Sequence, residues 1–303
     1  MKRLYKEMLK KSLKGKVSFN ESLKEHTTFK IGGIPKVYFE PESIDDLQLG
    51  MTLFLKKGLK PFIIGSGSNL LISDGEIDRA FIKLSAPAFK AFSFKKDTVI
   101  CGSGLNLQKL IRRCIDRGLS GPERLAGIPA TVGGAIMMNA GPGKEGCIGD
   151  MVEWVKAIKP GRKNILVLHK DKLKFVRRDS GLSGYVILEA ALRLKRSRPD
   201  ILKKRYKRIV RCKMSKQEYR FPNAGCIFKN PQEQELTSGE MIDQLGLKGL
   251  SVGGAEVSSR HANFIINKNS ARFADVFSLM KLQQEKVKKH YGVWLKPEIR
   301  IVR

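Results

Sequence analysis

The segment GPERLAGIPATVGGAIMMNAGPG, residues 121–143, decides the fold of this 303-residue chain. It holds six glycines and three prolines, and no charged side chain follows Arg124 within it. Glycine loses more conformational freedom on folding than any other residue, so such a cluster needs a turn of unusual handedness or a backbone that approaches something closely. Flexible Gly/Ser linkers are polar, whereas this run carries Ile128, Val132, Ile136, Met137 and Met138. It reads as a close-packed loop leading into a short helix, a cradle for a large anionic ligand.

Working outward, a hydrophobic strand at 61–64 runs into GSGSNLL (65–71), and a strand at 98–101 runs into GSGLNL (102–107). A strand that ends in a Gly/Ser turn can present backbone N–H groups to phosphate. Apolar spacing predicts a helix capped by Ser43, with Ile44, Leu47, Met51, Phe54 and Leu55 inward and Gly58 at its end. A second helix, capped by Asn106, carries Leu107, Leu110, Ile111, Cys114 and Ile115 and stops at Gly118. Strands are expected at 80–84, 152–158, 164–168 and 185–194. The last three follow one another without helices between them, which argues for α+β and against a doubly wound parallel sheet. KRSRPDI (195–201) marks a domain boundary with a basic helix beyond it. The final part begins with FPNAGCIFKNP (221–231). A helix at 238–245 opens with Thr237-x-x-Glu240, and a strand is expected at 262–266. A helix over 271–291 has Phe273, Val276, Phe277, Met280, Gln284, Val287 and Tyr291 on one face, and LKPEIRIV (295–302) closes the chain as a strand.

With 42% hydrophobic and 29% charged residues, the composition is that of a globular chain rather than a disordered one. No apolar run approaches the ~20 residues of a membrane span, and the basic N-terminus lacks the apolar core of a secretory signal. Five scattered cysteines without C-x-x-C, and four histidines without H-E-x-x-H, point to reduced thiols in the cytoplasm and to no metal centre. The net charge of +29 raises nucleic acid as a partner. Its densest piece, 203–220, has nine Lys or Arg but no RNP signature, zinc finger or heptad repeat. The expectation is therefore no nucleic acid and no membrane, with part of the charge serving anionic small ligands. Gly141 to Gly146 matches G-x-G-x-x-G. Pro142 lies inside that pattern, a strand rather than a helix follows, and no acid stands ~20 residues on in a βαβ unit, so the match is chance.

Five motifs combine into something more specific: GSGSNLL (65–71), GIPATVGGAIMMNAG (127–141), RRDS (177–180) with the strand YVILEAALRL (185–194), PNAGCIFKNP (222–231) and LKPEIRIV (295–302). In this order and spacing they resemble the MurB family, the UDP-N-acetylenolpyruvoylglucosamine reductases, from about Thr27 to Val302. The resemblance implies an α+β architecture with a PCMH-type, vanillyl-alcohol-oxidase-like FAD-binding fold. Two α/β subdomains (1–85 and 86–200) would precede a C-terminal α+β substrate domain (201–303). It also implies a cytoplasmic flavoenzyme of peptidoglycan synthesis, serving cell wall biogenesis, cell shape and cell division. The enolpyruvyl group of a UDP-sugar is reduced with FAD and NADPH. A monomer is expected, of the family's shorter form without the tyrosine loop. Another FAD oxidoreductase on the same fold is the alternative within enzymes; the PNAGC element and the terminal Glu would not then be required.

By the same resemblance, FAD would lie on Gly65, Ser66, Gly67, Ser68, Asn69 and Leu70, and on Gly127, Ile128, Pro129, Ala130, Thr131, Val132, Gly133 and Gly134. Asn139 is a further candidate for a flavin or phosphate contact. Arg178 would bind the substrate carboxylate, a task that suits a permanently charged bidentate guanidinium. Arg177 stands where the family's pattern has tyrosine, which leaves open whether Arg177 or Arg178 does the work. Cys226 takes the place of a proton-donating serine, and an ordinary thiol, pKa about 8.5, is mostly protonated at neutral pH. Glu298 would act with the arginine on the enolic intermediate, which is useful if burial raises its pKa. Lys229 and Asn230 would contact the phosphates and the sugar.

Overall fold

The structure is a computed structural model and describes residues 3–142 and 146–303. Gly143, Lys144 and Glu145 lie outside the described residues, and with them the interior of the chance G-x-G-x-x-G pattern and the last residue of the opening segment. The chain forms two compact units. The first comprises Met1–Glu21, Pro35–Ser66 and Asp78–Arg211; the second comprises Ser22–Ile34, Gly67–Ile77 and Cys212–Arg303.

Two hydrophobic cores lie in the first unit. One packs the helices Arg3–Ser12 and Ile44–Lys56 onto a four-stranded sheet ordered Lys16–Ser18, Ile34–Glu40, Glu76–Ile82, Lys60–Ile63. Ser43 caps the second helix by accepting from the Asp46 N–H at 3.2 Å. Its buried face is Leu47, Met51 and Phe54, while Leu55 turns outward to solvent. Phe54 meets Phe39 edge-on at 5.7 Å between centroids, a geometry aromatic pairs favour. Gly50 lies under the Phe39 ring, where a Cβ would come within 2.5 Å of it.

The other core lies between a five-stranded antiparallel sheet and two helices, Leu107–Asp116 and Val132–Met137. The sheet order is Ile165–His169, Val152–Ile158, Val186–Arg193, Thr98–Gly102, Phe92–Lys95. The neighbouring-strand arrangement expected from 152–158, 164–168 and 185–194 is present as antiparallel pairing. The helix Leu107–Asp116 buries the five apolar residues its spacing predicts, and Asn106 caps it by accepting from the Lys109 N–H at 3.0 Å. A cap of this kind is worth ~1 kcal/mol. The basic helix runs Pro199–Lys216 with Leu202 as its buried residue.

In the second unit a four-stranded antiparallel sheet, Asn223–Cys226, Phe264–Asn267, Ala255–Val257, Ser251–Val252, packs against the helix Phe273–Tyr291. That helix buries Val276, Leu279, Met280, Gln283, Gln284 and Val287, a face rotated slightly from the predicted one. Arg300–Val302 pairs in parallel with Leu70–Ile72, so the chain's last strand is registered directly after the GSGSN turn. The capping box at Thr237 and Glu240 forms as its spacing predicts.

Candidate active site

The two glycine-rich segments do different physical jobs. Among the described residues, no protein group accepts from the backbone N–H of Ser66, Gly67 or Ser68. Consecutive unspent donors of this kind suit an anion. Gly67 has φ +64, and a Cβ there would run into the His26 carbonyl. Gly65 approaches the second segment within the first unit, where its Cβ would stand 2.7 Å from Thr131 Oγ1.

In the second segment most donors are already used. Gly127 N–H donates to Gln108 Oε1, Ile128 to Leu125 O, Val132 to Leu105 O, Gly133 to Ser103 O and Gly134 to Thr131 Oγ1. Among the described residues, no protein group accepts from the N–H of Ala130 or Thr131. Gly133 is therefore a packing glycine: a Cβ would lie 2.7 Å from Ser103 Cβ and 3.1 Å from its carbonyl oxygen. Gly134 differs. Its Cβ would meet Thr131 Oγ1 at 3.2 Å and nothing else within 4 Å, so the backbone there borders open space. A cradle with unspent donors and an open glycine face suits a flavin nucleotide.

The cradle's base is held by a group the sequence reading did not single out. Glu123 is fully buried and accepts from Gly121 N–H at 2.5 Å, Arg205 Nη1 at 2.8 Å and Ser120 Oγ at 3.0 Å. Burial alone would push its carboxyl up, but these hydrogen bonds outweigh burial and hold it below the ordinary glutamate range. Arg205 stems from the basic helix, so one of its many charges has a structural use.

Arg177 and Arg178 form the middle of a tight turn closed by Val176 and Asp179, with Val176 N–H to Asp179 O at 2.9 Å and Asp179 N–H to Val176 O at 3.1 Å. Arg178 adopts φ +63, uncommon for a residue with a Cβ. Its side chain is half-buried, and Nη1 donates to Gly141 O at 3.2 Å; the Arg177 side chain is exposed. The turn conformation thus gives Arg178, the arginine the family pattern picks out, and its alternative Arg177 different surroundings. Asn139, expected near flavin or phosphate, spends its amide on protein backbone: Nδ2 donates to Val176 O at 2.9 Å and Oδ1 accepts from Gly149 N–H at 3.1 Å.

The remaining candidates belong to the second unit, where three motifs converge. Cys226 is not in a disulfide and ends a strand whose register slips by one residue between Asn223 and Cys226. Gly225, at φ +79, accommodates that bulge, a device that re-aims a side chain at the end of a strand. Immediately beyond Cys226, the chain runs antiparallel to the terminal motif. Glu298 N–H donates to Ile227 O at 2.7 Å, Phe228 bridges to Pro297, and Lys229 N–H donates to Lys296 O at 2.9 Å. Asn69 joins from the glycine loop, its Nδ2 donating to Glu298 O at 3.2 Å and its own carbonyl accepting from Arg300 N–H at 2.9 Å. Glu298 and Lys229 are half-buried. Asn230 Oδ1 accepts from Ser238 N–H at 3.2 Å, so part of its amide supports the next helix. Asn263, which sequence reasoning missed, grips both backbone groups of Phe228, accepting its N–H at 2.9 Å and donating to its carbonyl at 2.8 Å.

Comparison with known proteins gives a consistent result. Residues 35–163 match the family model described as FAD binding domain, and residues 217–302 match that of the UDP-N-acetylenolpyruvoylglucosamine reductase C-terminal domain. The UDP-N-acetylenolpyruvoylglucosamine reductase of Syntrophotalea carbinolica is 36% identical over 94% of this chain and 94% of its own length. That of Caldanaerobacter subterraneus is 38% identical over 98% and 96%. The crystal structure of the enzyme from Thermus caldophilus superimposes with a TM-score of 0.81 at 32% identity, covering 96% of this chain and all of that one.

Proposed function

The chain belongs to the UDP-N-acetylenolpyruvoylglucosamine reductase family, and we propose how its residues divide the work. The reaction reduces the enolpyruvyl group of UDP-N-acetylglucosamine enolpyruvate to UDP-N-acetylmuramate with NADPH, a step of peptidoglycan precursor synthesis. Bound FAD supplies the hydride that reaches the terminal carbon of the enol ether.

The unspent N–H groups of Ser66, Gly67 and Ser68 receive the cofactor's phosphates, with Ala130 and Thr131 contributing from the second segment. Gly65, Asn69, Leu70, Gly127, Ile128, Pro129, Val132, Gly133 and Gly134 shape the walls. Arg178 binds the substrate carboxylate and offsets the negative charge that develops on the adjacent carbon; Arg177 adds positive potential from an exposed position. Cys226 gives its Sγ proton to that carbon, so hydride and proton together saturate the double bond, and the thiolate is reprotonated from water. Glu298 acts with Arg178 on the enolic species, and Lys229 and Asn230 hold phosphate and sugar. FAD subdomains at 1–85 and 86–200 and a substrate-binding domain at 201–303 complete the proposal, although one core of the first unit joins Tyr5–Leu84 with Phe89, Ile158, Val186 and Leu188. A cytoplasmic monomer fits this role. No described helix is long and apolar enough to cross a membrane.

The observation that carries this assignment is the pairing of Ile227–Lys229, directly after Cys226, with Lys296–Glu298, tied by Asn69 to the glycine loop. The test is NADPH oxidation by purified protein with and without UDP-N-acetylglucosamine enolpyruvate. A yellow protein with substrate-dependent oxidation is expected. A colourless protein that takes up no FAD, yet is retained on DNA with strong salt dependence, would overturn it.

A further inference from the structure

We propose that Asn139 is a positioning residue for Arg178, holding the arginine turn rather than contacting cofactor; the inference rests on the role assigned to Arg178 above. The Arg177–Arg178 turn has little apolar packing to fix it. Val176 is 60% exposed, and Arg177 and Asp179 are also exposed. Phe175 and Leu182 pack into the core on either side of it, and the turn itself is held by hydrogen bonds to residues 137–141. Three are present: Asn139 Nδ2 to Val176 O at 2.9 Å, Arg178 Nη1 to Gly141 O at 3.2 Å, and Ser180 Oγ to Met137 O at 3.1 Å. Of these anchors, Asn139 alone reaches the closing pair of the turn from outside it. It is 6% exposed and its backbone sits at φ +39, a region Asn tolerates better than most residues. Its other amide end is fixed by the Gly149 N–H at 3.1 Å. Only glycine leaves room for this contact: a Cβ at position 149 would lie 2.7 Å from Asn139 Oδ1.

The bond to Val176 O lies two residues from Arg178. Releasing it frees the closing pair of the turn, and with it the guanidinium. A displacement of about 1 Å at a substrate-orienting group costs up to about 100-fold in rate. The glycine-rich segment thereby does two jobs, its first half forming the cofactor cradle and its last residues aiming the arginine.

The test compares Asn139→Gly, which keeps the left-handed backbone and removes the amide, with Asn139→Asp, which keeps the acceptor for Gly149 N–H and loses the donor to Val176 O. Flavin content, flavin reduction by NADPH, reoxidation by UDP-N-acetylglucosamine enolpyruvate, and substrate affinity read from the flavin spectrum are measured on each. Both variants should retain flavin and be reduced within about twofold of wild type. Both should be reoxidised about 10- to 100-fold more slowly, with weakened substrate binding. In the double variant with Arg178→Ala, Asn139→Gly should add almost no further loss, because the two act as one unit. Unchanged reoxidation in both Asn139 variants, loss of flavin, additive effects, or failure of both to fold would each overturn the proposal. If Arg178→Ala itself is reoxidised normally, the assigned role of Arg178 fails first, and that outcome is distinct from a failure confined to Asn139.

Discussion

Gly133 and Gly134 are neighbours in sequence, and the structure predicts opposite consequences for the same substitution. At Gly133 an added Cβ would sit 2.7 Å from Ser103 Cβ and 3.1 Å from Ser103 O, while the Gly133 N–H is tied to that carbonyl at 2.8 Å. The obstacle is largely backbone and cannot swing aside. Overpacking of this kind costs ~1–3 kcal/mol, against a helix-propensity gain of at most ~1 kcal/mol for Gly→Ala. Gly133→Ala should therefore lose ~1–2 kcal/mol of apoprotein stability, a fall in Tm of several degrees. At Gly134 the Cβ meets Thr131 Oγ1 at 3.2 Å and otherwise faces open space. Gly134→Ala should leave apoprotein stability within ~1 kcal/mol of wild type, because one hydroxyl has only to give by tenths of an ångström. That open space is where flavin is assigned, so the methyl group should weaken FAD binding by ~1–3 kcal/mol, roughly 5- to 150-fold in Kd. Thermal melts of flavin-free protein and fluorescence titration with FAD separate the two effects. Wild-type FAD affinity in Gly134→Ala, or equal losses of apoprotein stability in both variants, would refute the assignment of the cradle.

Three other outcomes follow from particular side chains. The Glu123 carboxyl is held below the ordinary glutamate pKa, so its contribution to stability is complete above that value, about 4.3, and fades as pH falls through its lower folded value. Glu123→Gln should lose ~1–3 kcal/mol at pH 7, and the gap in Tm from wild type should close in acid; a gap that persists unchanged at pH 3 would contradict the network. Burial pushes the Cys114 thiol up to about 12 and raises Cys101 as well, whereas Cys212 is exposed and Cys226 half-buried. Native protein treated with a thiol reagent should label at Cys212 and Cys226 and spare Cys101 and Cys114, and bound UDP-sugar should protect Cys226 alone, as peptide mapping would show. Asn263→Ala removes both grips on Phe228 and should slow substrate-dependent turnover more than NADPH-dependent flavin reduction; equal slowing of both would deny it a role in placing Cys226.

Much of this was legible from spacing alone. The caps at Ser43 and Asn106, the Thr237–Glu240 box and the five-residue buried face of Leu107–Asp116 are local patterns, readable because both partners lie within one or two helical turns. The glycine segments were legible as places needing bare backbone, but not as different places: the used donors of Gly133 and Gly134 depend on Ser103 and Thr131, and only the folded chain supplies Ser103. The clamps made by Glu123, Asn139 and Asn263 were not legible as clamps, although Asn139 itself was singled out as a ligand contact. Each has a partner far along the chain, 82, 37 and 35 residues away, and an isolated Asn or Glu in a loop is ordinarily a solvated one. The same applies to Arg177 against Arg178, whose difference lies in one positive φ.

The central claim is that Cys226 protonates the carbon left electron-rich after hydride arrives. It is tested by rapid mixing of Cys226→Ala first with NADPH and then with UDP-N-acetylglucosamine enolpyruvate. The flavin should bleach at close to the wild-type rate in the first step. In the second its yellow colour should return at least about 100-fold more slowly, the range expected for loss of a general acid, and Cys226→Ser should recover part of that rate. Reoxidation of Cys226→Ala at the wild-type rate would contradict the account.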